Sequence, residues 1–99
     1  MILEHAILNV KPGQGAAFEQ ALKDALPLMT ATPGFVDIEV RRCLETPDRY
    51  VLLVHWDSLE AHTEGFRGSD RYKTWRHKLH HFYEPFPAVE HYGEPIVTG

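Results

Sequence analysis

The stretch from Val54 to Tyr83, VHWDSLEAHTEGFRGSDRYKTWRHKLHHFY, decides how this chain is read. It opens as the end of an apolar strand and turns at Trp56-Asp57-Ser58. Asp57 or Ser58 can cap a following helix, with Glu60 placed to complete a capping box from Asp57. That helix is short and amphipathic, with Leu59, His62 and Phe66 on one side. Gly65 and Gly68 break it, and Ser69 can cap a second helix. Tyr72, Trp75, Leu79 and Phe82 then recur at the spacing of one helical face. Both tryptophans and most of the histidines fall in this stretch. The aromatic wall and most polar groups of any small-molecule site are expected from here.

Upstream, Met1 to Val10 reads as a strand that is largely apolar on both faces and therefore central. Ile2, Ala6, Leu8 and Val10 share one face, interrupted by Glu4, while Leu3, His5, Ile7 and Asn9 share the other. Pro12 to Gly15 is a turn. Phe18, Leu22, Ala25 and Met29 form a helical stripe, and Pro27 predicts a kink within it. After Pro33-Gly34, Val36, Ile38 and Val40 alternate with Asp37, Glu39 and Arg41 as a half-buried strand. Glu45 to Asp48 is a hairpin connection. Tyr50 to Trp56 is apolar at nearly every position, with His55 the exception.

A strand with one wet face would alternate, so both faces of that last run need cover. Helices of the same chain can cover one. The other calls for a second copy packed sheet to sheet, which makes a homodimer the expected state. Pro85 and Pro87 end the second helical region, and Ala88 to Tyr92 is a last short strand. The order is βαββαβ with the second helix split. It predicts an α+β, ferredoxin-like domain over residues 1–99, with an antiparallel four-stranded sheet and the first strand between the third and fourth.

Bulk composition narrows the function classes. Ten basic and fourteen acidic residues give a net charge of −4, with no basic groove for a nucleic acid. Cys43 stands alone, so no internal disulfide or cysteine-rich metal site is expected. No apolar run approaches the ~20 residues that span a membrane, and no signal-peptide pattern opens the chain, so a cytoplasmic protein is the default. His77 and His81 have a spacing at which two imidazoles can share a metal, but they lie off the apolar stripe with no matching carboxylate. A solvated face is the better reading, and no metal is expected.

Glu4 lies on the face assigned to the helices. A carboxylate there is desolvated, carries a raised pKa and can act as a base, or can serve as a structural partner in an ion pair. Arg76 or His80 should reach it from the second helical region, with His91 nearby on the adjacent strand or meeting it from the opposite face. Glu4, Arg76, His80 and His91 are therefore the candidate catalytic group. Phe66, Tyr72, Trp75 and Phe82 are the candidate substrate-binding wall, although aromatic stripes at helix spacing are more often core. His62 reads as helix surface or as a satisfied hydrogen-bonding group.

The pattern Trp56-Asp57-Ser58-x-Glu60-Ala61, then Phe66 and Ser69-Asp70, resembles the antibiotic biosynthesis monooxygenase (ABM) family. Val10-Lys11-Pro12-Gly13 and Pro33-Gly34-Phe35 fit the same family. The resemblance implies a ferredoxin-like fold paired into a dimeric α+β barrel. Its members include oxygenases of aromatic polyketides that use no cofactor, quinol monooxygenases and haem-degrading enzymes. The function it implies is a cofactor-independent monooxygenase acting on a small aromatic, quinol-like or polyketide-like substrate. The alternative is a non-catalytic dimeric module for ligand binding or stress response. Haem-degrading members resemble one another in a first-strand Asn and a later Trp and His. Ala6, Phe66 and Arg76 fall at those places here, which argues against haem degradation.

Overall fold

The computed structural model describes residues 1–99. β1 (Ile2–Asn9) is followed by α1 (Gly15–Thr30), β2 (Phe35–Arg42) and β3 (Arg49–Trp56). A one-and-a-half-turn π-helix (Ala61–Phe66), α2 (Asp70–Leu79), a 3-10 turn (His80–Phe82) and β4 (Val89–Tyr92) complete the chain. All strand pairs are antiparallel, in the order β2-β3-β1-β4. This is the ferredoxin-like α+β architecture that the element order predicts, with the second helix split and β1 between β3 and β4.

The helices cover one face of the sheet, and the alternation of β1 and β3 decides which side chains they meet. Glu4, Ala6, Leu8 and Val10 are buried from β1, and Tyr50, Leu52, Val54 and Trp56 from β3. Phe18, Ala25 and Met29 of α1 and Trp75 and Leu79 of α2 close the core over them. α1 runs through Pro27 to Thr30 as one helix. On the opposite face, Leu3, Ile7, Val51 and Leu53 stand together across the β1–β3 pair and are only partly covered. In β2 a bulge between Phe35 and Asp37 shifts the alternation. Ile38 and Val40 pair with Val54 and Leu52 on the covered side, whereas Val36, expected with them, is 40% exposed. The extra residue of a bulge breaks period-two patterning, and nothing in the sequence marks it.

Two local devices place the π-helix. Ser58 Oγ accepts from the Ala61 N–H at 3.2 Å and so ties down the turn that leads into it. Gly34 has φ of 88°, and a Cβ there would lie 2.6 Å from the Ala61 Cβ, so only glycine lets the π-helix sit this close to the start of β2. Ser69 caps α2 by accepting from the Tyr72 N–H, as the sequence predicts.

At the far end of the sheet, Arg42 grips Glu19 with two bonds of 2.7 and 2.8 Å, and the Tyr50 hydroxyl donates to Glu19 at 2.6 Å. Arg42 first, and Tyr50 second, hold the Glu19 carboxyl down at about 2 against an ordinary value of 4.5. Folding thus favours the ionised form. The stability it adds is complete above 4.5 and is lost as pH falls toward about 2. Melting temperatures followed across that window should fall less steeply for Glu19→Gln than for the parent chain. Equal slopes would show that this solvent-screened cluster contributes nothing.

Candidate active site

The covered face of the sheet is not filled completely. A cavity of about 450 Å³ remains between it and the helices, within the size range of small-molecule sites. Its walls are mostly apolar: Ala6, Leu8 and Leu52 from the sheet, Phe66, Trp75 and Leu79 from the helices. Its polar groups are Glu4, His62, Arg67, Tyr72, His80 and Tyr83.

Glu4 points into this cavity and is 5% exposed. Trp56 Nε1–H donates to Glu4 Oε1 at 3.0 Å, and His62 Nε2 lies 3.3 Å from the same oxygen. Oε2 takes no hydrogen bond from the chain. His62, 3% exposed, stacks on the Trp56 indole with ring centroids 5.3 Å apart. Its other nitrogen, Nδ1, lies 2.7 Å from His91 Nε2. His91 is the cross-strand neighbour of Glu4 on β4 and shares its face of the sheet. The result is a line of polar groups, Trp56–Glu4–His62–His91, leading from the core to a half-buried imidazole.

Burial sets the protonation of this line. Desolvation raises the Glu4 pKa, against the opposing effects of the Trp56 hydrogen bond and the Arg67 charge. Desolvation, with help from Arg67 and His91, pushes His62 down to about 3, so the imidazole is neutral near pH 7. His91 is lowered by desolvation and then by Arg67. Arg67 lines the cavity and its guanidinium has no carboxylate partner within ion-pair distance.

The residues singled out from sequence divide between this centre and other places. Glu4 and His91 come together. Arg76 and His80 do not reach Glu4, and here the sequence expectation needs correction. Arg76 is one step round α2 from the buried Trp75; it is exposed, with its guanidinium 5.9 Å from the centre of the Tyr72 ring. His80 borders the cavity at the end of α2, with its ring edge-on to Phe86 and Tyr72. Desolvation first, and Arg76 second, lower it to about 4. Phe66, Tyr72 and Trp75 line the cavity, whereas Phe82 packs edge-on against Phe18 and leaves it. His77 and His81 are exposed, and no three His, Cys, Asp or Glu side chains converge as a metal site.

Trp56 and Arg67 are not among the residues singled out from sequence, and of the two readings of His62, helix surface or a satisfied hydrogen-bonding group, the second holds. For His62 a signal was present, because it shares a helix face with Phe66 and both are buried. A buried imidazole on that stripe needs polar partners, and Glu4 was the buried group lacking one.

The profile of the antibiotic biosynthesis monooxygenase family matches residues 1–78, and the chain belongs to that family. It is 45% identical over 92 residues to the uncharacterized protein YczJ of Bacillus subtilis (strain 168), covering 93% of this chain and 97% of that one. A crystal structure from Bordetella bronchiseptica, provisionally assigned as an antibiotic biosynthesis monooxygenase, superposes with a TM-score of 0.90 at 32% identity. That match covers 96% of this chain and 97% of the other. SnoaB, a cofactor-independent oxygenase from Streptomyces nogalater, has the same fold with a TM-score of 0.84 at 16% identity, over 97% and 94% of the two chains. The fold is thus of the monooxygenase type.

Carbon-13 NMR of the Glu4 carboxyl should show titration above its ordinary 4.5. Trp56→Phe removes the donor that favours the ionised form and should raise that pKa further. A Glu4 that titrates at or below its ordinary value would contradict the buried placement.

Proposed function

We propose that this chain is a cofactor-independent monooxygenase that oxidises a small aromatic, quinol-like or polyketide-like substrate in the cavity beneath the helices. The observation that carries this reading is Glu4: a carboxylate buried in an apolar cavity, with one oxygen held and the other free. Molecular oxygen is a triplet and reacts slowly with closed-shell molecules. A substrate that loses a proton becomes an electron-rich anion that can pass an electron to oxygen directly. The protein's part is to make the anion, to steady it and to keep water away.

Glu4 Oε2 takes the proton from an activated C–H or a phenol. Its raised pKa makes it a stronger base than an ordinary carboxylate. Arg67 then faces the substrate anion in place of the Glu4 anion, so negative charge shifts within the cavity and its total is unchanged. Electron transfer and recombination form a peroxide, and loss of water leaves a carbonyl. An activated CH2 plus O2 becomes C=O plus H2O, which balances atoms and electrons with no further reductant. Phe66, Tyr72 and Trp75 supply the aromatic surface for the ring system.

We also infer that the protein works as a homodimer joined through the open face of its sheet. The half-covered Leu3, Ile7, Val51 and Leu53 support this reading. Sedimentation at micromolar concentration should give a dimer, and a stable monomer would remove that part of the proposal.

The activity is tested with an oxygen electrode, using anthrone and hydroquinone after treatment with a chelator. Oxygen uptake by the parent chain should fall about 100-fold or more in Glu4→Gln, with the assembly and circular dichroism unchanged. Binding of these compounds without oxygen uptake would favour the non-catalytic module instead. Added haem should produce no sharp Soret shift, and a histidine-ligated spectrum would move the function toward haem.

A further inference from the structure

We propose that His62 and His91 form a proton path joining Glu4 to the protein surface. It rests on the reading of Glu4 as the proton acceptor, and it concerns how that acceptor exchanges its proton with solvent. The oxidation returns the proton taken by Glu4 to the product water, so a path to solvent serves to set the protonation of the carboxyl before each turnover. Here the second carboxylate oxygen does not face a blank wall. Glu4 Oε1 lies 3.3 Å from His62 Nε2, His62 Nδ1 lies 2.7 Å from His91 Nε2, and His91 is half-buried at the edge strand. His62 thus presents one nitrogen to Glu4 and the other to His91.

The fold does not demand this arrangement. The next cross-strand pair on the same face is Ala6 with Val89, an apolar pair that satisfies the sheet equally well. Nor does Glu4 need His62 as its sole partner, because Trp56 already donates to it. The groups facing His62 are Glu4 from β1, the Trp56 ring from β3, His91 from β4 and the Arg67 charge after the π-helix. Burial first, and the Arg67 charge second, disfavour a positive charge on both imidazoles, which favours the neutral ring with one N–H and one lone pair.

Proton balance follows directly. Inward, a solvent proton binds His91 Nδ1, the Nε2 proton of His91 passes to His62 Nδ1, and the Nε2 proton of His62 passes to Glu4 Oε1. Outward, the same bonds break and form in reverse. Either passage leaves both rings neutral with their tautomers exchanged. A half-turn of the Glu4 carboxyl exchanges its two oxygens, so a proton held at Oε2 leaves from the Oε1 position, and Glu4 is reset for the next transfer. His62 and His91 are positioning residues, since neither needs to touch the reacting atoms.

Two measurements test the path. The first needs no activity. Two-bond 1H–15N spectra of the imidazoles should show neutral rings whose tautomers change together in Glu4→Gln, because a Gln amide can offer a donor where the carboxylate could only accept. A change confined to His62, or no change in either ring, overturns the proposal. The second measures anthrone oxidation by His91→Ala. A loss of about ten-fold or more in kcat is expected, with KM little changed, a flattened pH profile and recovery on adding imidazole. A structural role would not be rescued by free imidazole. Undiminished turnover in His91→Ala also overturns the path. If the parent chain takes up no oxygen, the oxygenase reading falls, and the imidazole spectra still decide whether the path exists.

Discussion

A carboxylate buried among apolar side chains must find donors or cost several kcal/mol, and Glu4 is such a carboxylate. Much of the surrounding structure can be traced to that requirement. β3 ends on Trp56, whose indole N–H reaches back across the sheet to Glu4. The chain must then turn and bring a second polar group over the same spot. It does so with a π-helix, whose wider turn leaves His62 and Phe66 both buried four residues apart. Gly34 permits the approach at one end. At the other, a side chain at Gly68 would collide with the Glu64 carbonyl.

Those requirements explain what could be read in advance. Glu4 was legible because period-two alternation on β1 places it with Ala6, Leu8 and Val10, and the register of β4 puts His91 opposite. The strand order followed from the ferredoxin-like βαββαβ element order, and the apolar character of β1 on both faces agrees with it. The partner of Glu4 was not legible. Arg76 and His80 have suitable chemistry and lie near the Tyr72 stripe, but an α-helix advances about 100° per residue. That step takes Arg76 from the buried Trp75 out to solvent. The four-residue spacing of His62 and Phe66 does mark one buried face, but which buried group that face meets is decided by how the segment packs on the sheet. The bulge at Val36 escaped because an irregularity of backbone count leaves no mark on composition.

The two faces of the sheet carry different information. The covered face holds a cavity and a connected set of titratable groups. The open face holds apolar side chains interleaved with polar pairs, such as His55 with Asp37 at 2.7 Å. Apolar groups of this kind suit a second sheet, and the interleaved polar pairs suit one register of that sheet over others. The chemistry and the proposed association are thus segregated by the same period-two alternation. A substitution on one face can change assembly without entering the cavity.

Stability alone would not choose this interior. A Gln at position 4 could accept from Trp56 with no charge to desolvate, and an apolar residue at 62 would stack on the indole as well as an imidazole does. The raised pKa of Glu4 and the lowered pKa of His62 have the same physical meaning. Each records that folding disfavours the charged form of its group. A fold that retains both, end to end, holds titratable groups whose ionised states it makes costly. Such a conflict with stability is the usual mark of a site kept for what it does, because packing offers a cheaper solution at each position. For this chain the conflict is concentrated at the floor of its apolar cavity, where a base with one free oxygen is of use to a bound substrate.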